Sequence, residues 1–205
     1  MDEEERFNSI SHMAGAALAL AGLVFLVVRS AQSGDPWRIV SAAVYGSTLV
    51  VLYLFSTLYH SVQGNGKRVL QKIDHAAIYL LIAGSYTPFT LVTLRGAWGW
   101  SLFGVVWGMA LLGIMQDLFI PSRKRIFSVV LYILMGWISL IAIRPLVRSL
   151  ALPGVFLLVA GGVSYTVGVI FYALGHRISY GHGVFHMFVL CGSICHYFTI
   201  ALYVV

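Results

Sequence analysis

Residues 39–61 read IVSAAVYGSTLVVLYLFSTLYHS, 23 positions without a single Asp, Glu, Lys or Arg. An α-helix rises ~1.5 Å per residue, so ~20 apolar residues cross the ~30 Å hydrocarbon core of a bilayer. The stretch is long enough to span a membrane. It is too uniformly apolar to be the one-sided helix of a water-soluble protein. Its one histidine, His60, stands at the very end, four residues after Ser56.

Outward from this segment the pattern repeats. Further apolar segments run over about 9–28, 73–94, 98–116, 126–143, 153–174 and 181–205, giving seven with the first. Short turn-forming stretches separate them, at 32–36, 63–66, 95–96, 121–122 and 144–145. Only 10% of the 205 residues are charged and 60% are hydrophobic, against about 25% charged in a soluble domain. So few charges do not make a water-facing surface. In hydrocarbon every backbone amide must be paired within its own segment, so the segments are predicted to be helices. The reading is an all-α integral membrane protein, one domain over 1–205. It has seven transmembrane helices and a short polar N-terminal stretch over about 1–8.

The net charge is +6, but Lys and Arg fall between apolar segments, where they meet anionic headgroups. No nucleic-acid partner is expected. With the N-terminus inside, the inner side collects Arg6, Lys67, Arg68, Lys72, Arg123, Lys124, Arg125 and Arg177. The outer side collects Arg29, Arg38, Arg95, Arg144 and Arg148, eight against five. That bias predicts the N-terminus inside and the C-terminus outside, in a multi-pass protein of the cytoplasmic (inner) membrane. The start of the chain is acidic, unlike the positive leader of a secretory signal, so the first segment is expected to remain as a span.

Several features have packing as their plainest reading. Cys191 and Cys195, one helical turn apart, read as small apolar residues with no disulfide framework. Gly104 and Gly108 form a small-xxx-small pair that predicts close helix packing. Pro88 predicts a kink in the third helix. No internal repeat is visible, which argues against an inverted-repeat transporter.

Ionisable residues within spans are costly and mark function by default. Here they gather at one membrane face. Glu5, Asn8 and His12 open the first segment, Ser56 and His60 close the second, and Asp74 and His75 open the third. Asp117 closes the fourth, and His182 and His186 open the seventh. With alternating spans all of these ends lie on one side, the cytoplasmic side in the predicted orientation.

His182 and His186, at i and i+4, project from one helix face about 6 Å apart, a spacing that suits two ligands of one metal. His60 supplies a third from a neighbouring helix. Three histidines plus one open position is the arrangement of a catalytic zinc site. Imidazole also suits copper, iron and nickel, so zinc is a preference. Asp74 is a candidate general base or an orienting group, and Ser56 a hydrogen-bond donor beside it. The residues leave open whether the fourth zinc position is water or Asp74. Glu5, Asn8 and His12 share one face, as a network tied to the site or as a solvated terminus. His196 lies ~21 Å beyond His182 and is expected to be a hydrogen-bonded packing residue.

Taken together, Glu5-x-x-Asn8-x-x-x-His12, Ser56-x-x-x-His60 with Asp74, and His182-x-x-x-His186 resemble the motif blocks of the hemolysin III and progestin-and-adiponectin-receptor family. Residues 82–89, IAGSYTPF, resemble its third-helix segment. The match covers nearly the whole chain, and the short loops are similar to the bacterial hemolysin III branch. The resemblance implies seven helices with the N-terminus inside. It implies zinc on His60, His182 and His186, with Asp74 and Ser56 beside it. It also implies kinship with alkaline ceramidases, in a proposed superfamily of membrane metal-dependent hydrolases.

Three functions compete. The first is a zinc-dependent hydrolase of a membrane-lipid amide or ester. The second is a receptor-like sensor of membrane state with a structural zinc. The third is a cytolysin, for which no residue explains a pore. A retinal protein is excluded, because Lys67, Lys72 and Lys124 all lie in or beside loops and none sits mid-membrane.

Overall fold

The computed structural model describes residues 3–119, 126–174 and 180–205. Its elements are α1 (Glu3–Gln32), α2 (Pro36–Ser61), α3 (Asn65–Pro88), α4 (Ala97–Phe119), α5 (Ile126–Trp137), α6 (Ile143–Ser149), α7 (Leu152–Leu174) and α8 (Gly181–Tyr203). A π-helical turn, Phe89–Thr93, extends α3, and a 3₁₀ stretch, Ile138–Ala142, joins α5 to α6. No strand occurs among the described residues. Counting α5 and α6 as one broken rod, seven helices are long and apolar enough to cross a membrane. An odd number of spans sends the two ends of the chain to opposite faces.

The burial pattern explains the arrangement. In α3 the most apolar window is 61% buried, whereas in the rod formed by α5 and α6 it is 17%. α3 is therefore the most enclosed helix, with α2, α4 and α5 packed against it, while the rod formed by α5 and α6 turns most of its surface to lipid. α1 shows the logic most clearly. Its buried residues are Asn8, Ser9, His12, Gly15, Ala19, Gly22, Leu26 and Ser30, a stripe of mostly small and polar residues, while most of its large apolar side chains other than Leu26 point outward. Lipid tails are as apolar as leucine, so helices associate through close packing and hydrogen bonds, for which small residues are best. At Gly22 a Cβ would lie 2.8 Å from Cε2 of Tyr197 on α8, and the Tyr197 hydroxyl donates to the Gly22 carbonyl at 3.3 Å.

Gly104 and Gly108 behave differently from expectation. No heavy atom of the described residues comes within 4 Å of a Cβ built at either. α4 buries the opposite stripe, Gly99, Leu102, Val106, Ala110 and Gly113. The small-xxx-small pair faces away from the bundle and packs no helix among the described residues.

Other boundaries also differ from the apolar segments. α3 begins at Asn65, so Asp74 lies well inside it and does not open it. Its first turns are polar yet helical, because the side chains find partners at the bundle end. Gln71 donates to the Tyr59 hydroxyl at 3.1 Å, and Lys72 to the Leu118 carbonyl at 3.4 Å. Gly64, with φ +80°, makes the tight turn that admits this longer helix; positive φ is natural to glycine. The fifth span continues past 143 to Ser149, and Pro145 sits in the first turn of α6, where a missing amide costs nothing. Pro88 ends the regular part of α3, and the π turn follows it. Asp35 caps α2, accepting from the Trp37 amide at 2.9 Å, and pairs with Arg95 at 3.0 Å. The Trp37 amide, with Arg95 and Arg38, holds the Asp35 carboxyl below its ordinary range. Arg123, Lys124, Arg125 and Arg177, counted toward the inner side, lie outside the described residues, as does the turn at 121–122.

Candidate metal centre

Two helix ends meet at one face of the bundle. His60 occupies the last turn of α2, and His182 and His186 the first turns of α8. The left-handed backbone of Tyr180, φ 59°, turns the chain into α8. A non-glycine residue in that region carries strain and marks a position fixed by its surroundings.

The three imidazoles point at one another. His60 Nε2 is 3.3 Å from His182 Nε2, which is 3.1 Å from His186 Nε2. Among the described residues these are the group whose ligating atoms all lie within 4.8 Å of one another. His60 and His186 are buried and His182 is half-buried.

Proton bookkeeping tests whether hydrogen bonding alone explains this cluster. His60 Nδ1 is 2.8 Å from Oε2 of Glu5, so its N–H donates to the carboxylate and its Nε2 carries a bare lone pair. His182 Nε2–H can then serve one of its two neighbours, and a neutral imidazole has no second hydrogen. The other close contact is left uncompensated. A cation shared by three lone pairs satisfies both. The spacings also fit, because ligands at ~2.0–2.1 Å in a tetrahedron stand ~3.3 Å apart. The residues present therefore suit a metal ion such as zinc.

The neighbours support the same face. Glu5 Oε1 accepts from Lys67 Nζ at 2.7 Å, so one carboxylate joins α1, α2 and α3. His12 stacks on His186, with ring centroids 3.7 Å apart and planes 10° from parallel. Its Nδ1 is 2.7 Å from Ser56 Oγ. The first segment's motif is thus part of the cluster and not a solvated terminus. Ser56 sits beside His12 on α2, and Asp74 is buried on α3, 4.0 Å from the Nε2 of His75. Asp74 is outside the mutually close set of ligating atoms. His196 lies deeper, donating from Nε2 to the Leu158 carbonyl at 3.3 Å, as a packing histidine would. Asp117 accepts from Ser128 at 2.7 Å.

A cavity of about 150 Å³ leads away from the cluster. Its polar end is formed by His12, Ser56, Asp74, His75, His182 and His186. Its walls then become apolar, with Ile78, Leu81, Phe185 and Val189.

The chain matches the model of the family described as haemolysin-III related over residues 2–197. It is 42% identical to hemolysin-3 of Bacillus cereus over 203 residues, 98% of this chain and 92% of that protein. The chain belongs to the haemolysin-III-related family. The hemolysin-3 homolog of Bacillus subtilis (strain 168) is 43% identical, over 99% of this chain and 95% of that protein. The human monocyte to macrophage differentiation factor is 26% identical, over 98% of this chain and 84% of that protein. For a haemolysin-III-related protein the structure thus supplies a three-histidine cluster at one end of a multi-pass bundle.

Two relationships were not visible in the sequence. Glu5 bridging His60 and Lys67 required α3 to start well upstream of its apolar part. The signal was opposite charge at one membrane face, Glu5 against Lys67. The hydrogen-bonded trio Tyr53, Ser193 and Tyr165 was missed as well. Tyrosines in apolar segments give no spacing that points to a shared serine.

Proposed function

We propose that this protein is a zinc-dependent hydrolase of an amide or ester bond in a membrane lipid, with its site at the cytoplasmic face of the inner membrane. The observation that carries the reading is the graded cavity. It is polar where His182, His186, Ser56 and Asp74 meet and predominantly apolar beyond, along Ile78, Leu81, Phe185 and Val189. A lipid has the same gradient, with its scissile bond just below the headgroup and its tails deeper. A water-soluble substrate gains nothing from a site buried between spans.

His60, His182 and His186 would hold the ion, and Glu5 fixes the tautomer of His60, as outer partners of metal ligands do. Zinc, when bound, polarises a carbonyl and acidifies a neighbouring water toward pKa ~7. Asp74, in the same cavity, accepts the proton of the attacking water and returns it to the leaving amine or alcohol. Ser56 stabilises the developing oxyanion if its hydrogen is free. That condition is met when His12 Nδ1–H donates to Ser56 Oγ, leaving the serine O–H directed to the cavity.

The test is fatty-acid release from a panel of lipid amides and esters by wild type, His60→Ala and Asp74→Ala. Release in wild type that falls by about 10²-fold or more in both variants is expected. No release, or equal release from all three, favours a sensor with a structural metal instead. Lysis of erythrocytes by the purified protein, undiminished in both variants, favours the activity in the Bacillus cereus relative's name.

A further inference from the structure

A second cavity, of about 80 Å³, lies end to end with the first. The two share Ser85, Tyr86, Gly136, Trp137, Gly162 and His196 as lining residues. These form the wall between them. The wall is pinned from three directions. The Tyr86 hydroxyl donates to the Gly136 carbonyl at 2.9 Å, tying α3 to α5. Trp137 Nε1 donates to Thr166 Oγ1 at 3.0 Å, tying α5 to α7. His196 holds the Leu158 carbonyl and ties α8 to α7. Beyond the wall the second cavity is flanked by Phe89 and Leu140, in the two stretches of irregular helix.

We propose that this wall sets the length of the lipid chain the protein accepts. The inference rests on the lipid-hydrolase reading of the first cavity. From Asp74 to Tyr86 is twelve residues along α3, a depth of ~18 Å. A methylene advances an extended chain by ~1.25 Å for a carbon–carbon bond of ~1.5 Å, so the first cavity is about 14 carbons deep. A shorter chain ends before the wall. A longer chain must part Trp137 from Thr166 or Tyr86 from Gly136 and enter the second cavity. The site thus has two compartments end to end, and Trp137 is the specificity-determining residue between them.

Two substitutions move the limit in opposite directions. Trp137→Ala removes both ring and hydrogen bond and joins the compartments. Gly162→Leu narrows the first cavity: a Cβ there would sit 3.9 Å from Trp137 Cη2, ordinary contact, so the backbone accepts it.

The experiment presents an equimolar mixture of saturated fatty acids of roughly 10, 14 and 20 carbons, bracketing the ~18 Å depth, to the purified full chain in detergent. The bound acids are identified by mass spectrometry. Competition within one micelle population largely cancels the partitioning of free chains. Wild type is expected to retain the 14-carbon over the 20-carbon acid by roughly tenfold or more, the cost of breaking one or two wall hydrogen bonds. Trp137→Ala brings that ratio toward parity, and Gly162→Leu shifts preference to the shortest acid. No length preference in wild type, or the same preference in all three proteins, overturns the proposal. Because the readout is binding, the two readings fail separately. A length limit without lipid hydrolysis leaves the wall standing and removes the hydrolase. Hydrolysis without a length limit does the reverse.

Discussion

At the scale of single residues the site is decided by which nitrogen holds which proton. Glu5 takes the Nδ1–H of His60 at 2.8 Å and leaves its Nε2 lone pair facing His182. Purified protein is expected to hold about one zinc per chain by elemental analysis, strongly reduced in the double variant His182→Ala, His186→Ala. Unchanged zinc in that variant rules the assignment out. Glu5→Gln keeps the size of the side chain but removes its charge. It should weaken zinc binding by roughly 10–100-fold in a chelator competition, the usual effect of losing an outer partner. An unaltered affinity would show that Lys67 and the helix packing, and not Glu5, hold His60 in place.

At the scale of helices, apolar length identified seven segments, and the structure has a span at each. Ends were less legible, because a polar turn of helix and a polar loop share a composition. Residues 65–72 are helix only because Gln71 and Lys72 find partners on Tyr59 and Leu118, which no local pattern reveals. Packing faces were partly legible. Gly22 accepts the ring of Tyr197, while the more conspicuous Gly104 and Gly108 face outward. A small-xxx-small spacing states that two helices can approach, and not which face has a neighbour. Gly22→Leu should therefore destabilise the bundle by about 1–3 kcal/mol through overpacking. Gly104→Leu should stay within about 0.5 kcal/mol. Thermal unfolding in detergent compares them, and equal losses would contradict the packing described here.

At the scale of the whole molecule, convergence was the legible part of the site. Alternating spans brought Glu5, His60 and His182 to one face before any distance was known. The contacts between them were not legible, since they depend on helix rotation and depth, which hydropathy leaves open. An odd number of spans puts the termini on opposite sides, and the lysine and arginine bias of the sequence predicts that the N-terminus is the cytoplasmic one. Reporter fusions after residues 124 and 205 are expected to report inside and outside respectively. A cytoplasmic signal at Val205 would reverse the orientation and move the histidine cluster to the other face.

The separation of the donors along the chain has a consequence for biogenesis. His182 follows His60 by 122 residues. A ribosome adding ~5–20 residues per second delivers it ~6–24 s later. Throughout that interval α1 and α2 are available as an inserted hairpin, with Glu5 beside His60, but offer only one of the three donor imidazoles, His60, to any ion. Only the arrival of the last helix completes the donor set. Metal uptake would then mark a chain in which α8 has been made and inserted, and a product truncated before α8 would carry no ion for quality-control proteases to overlook.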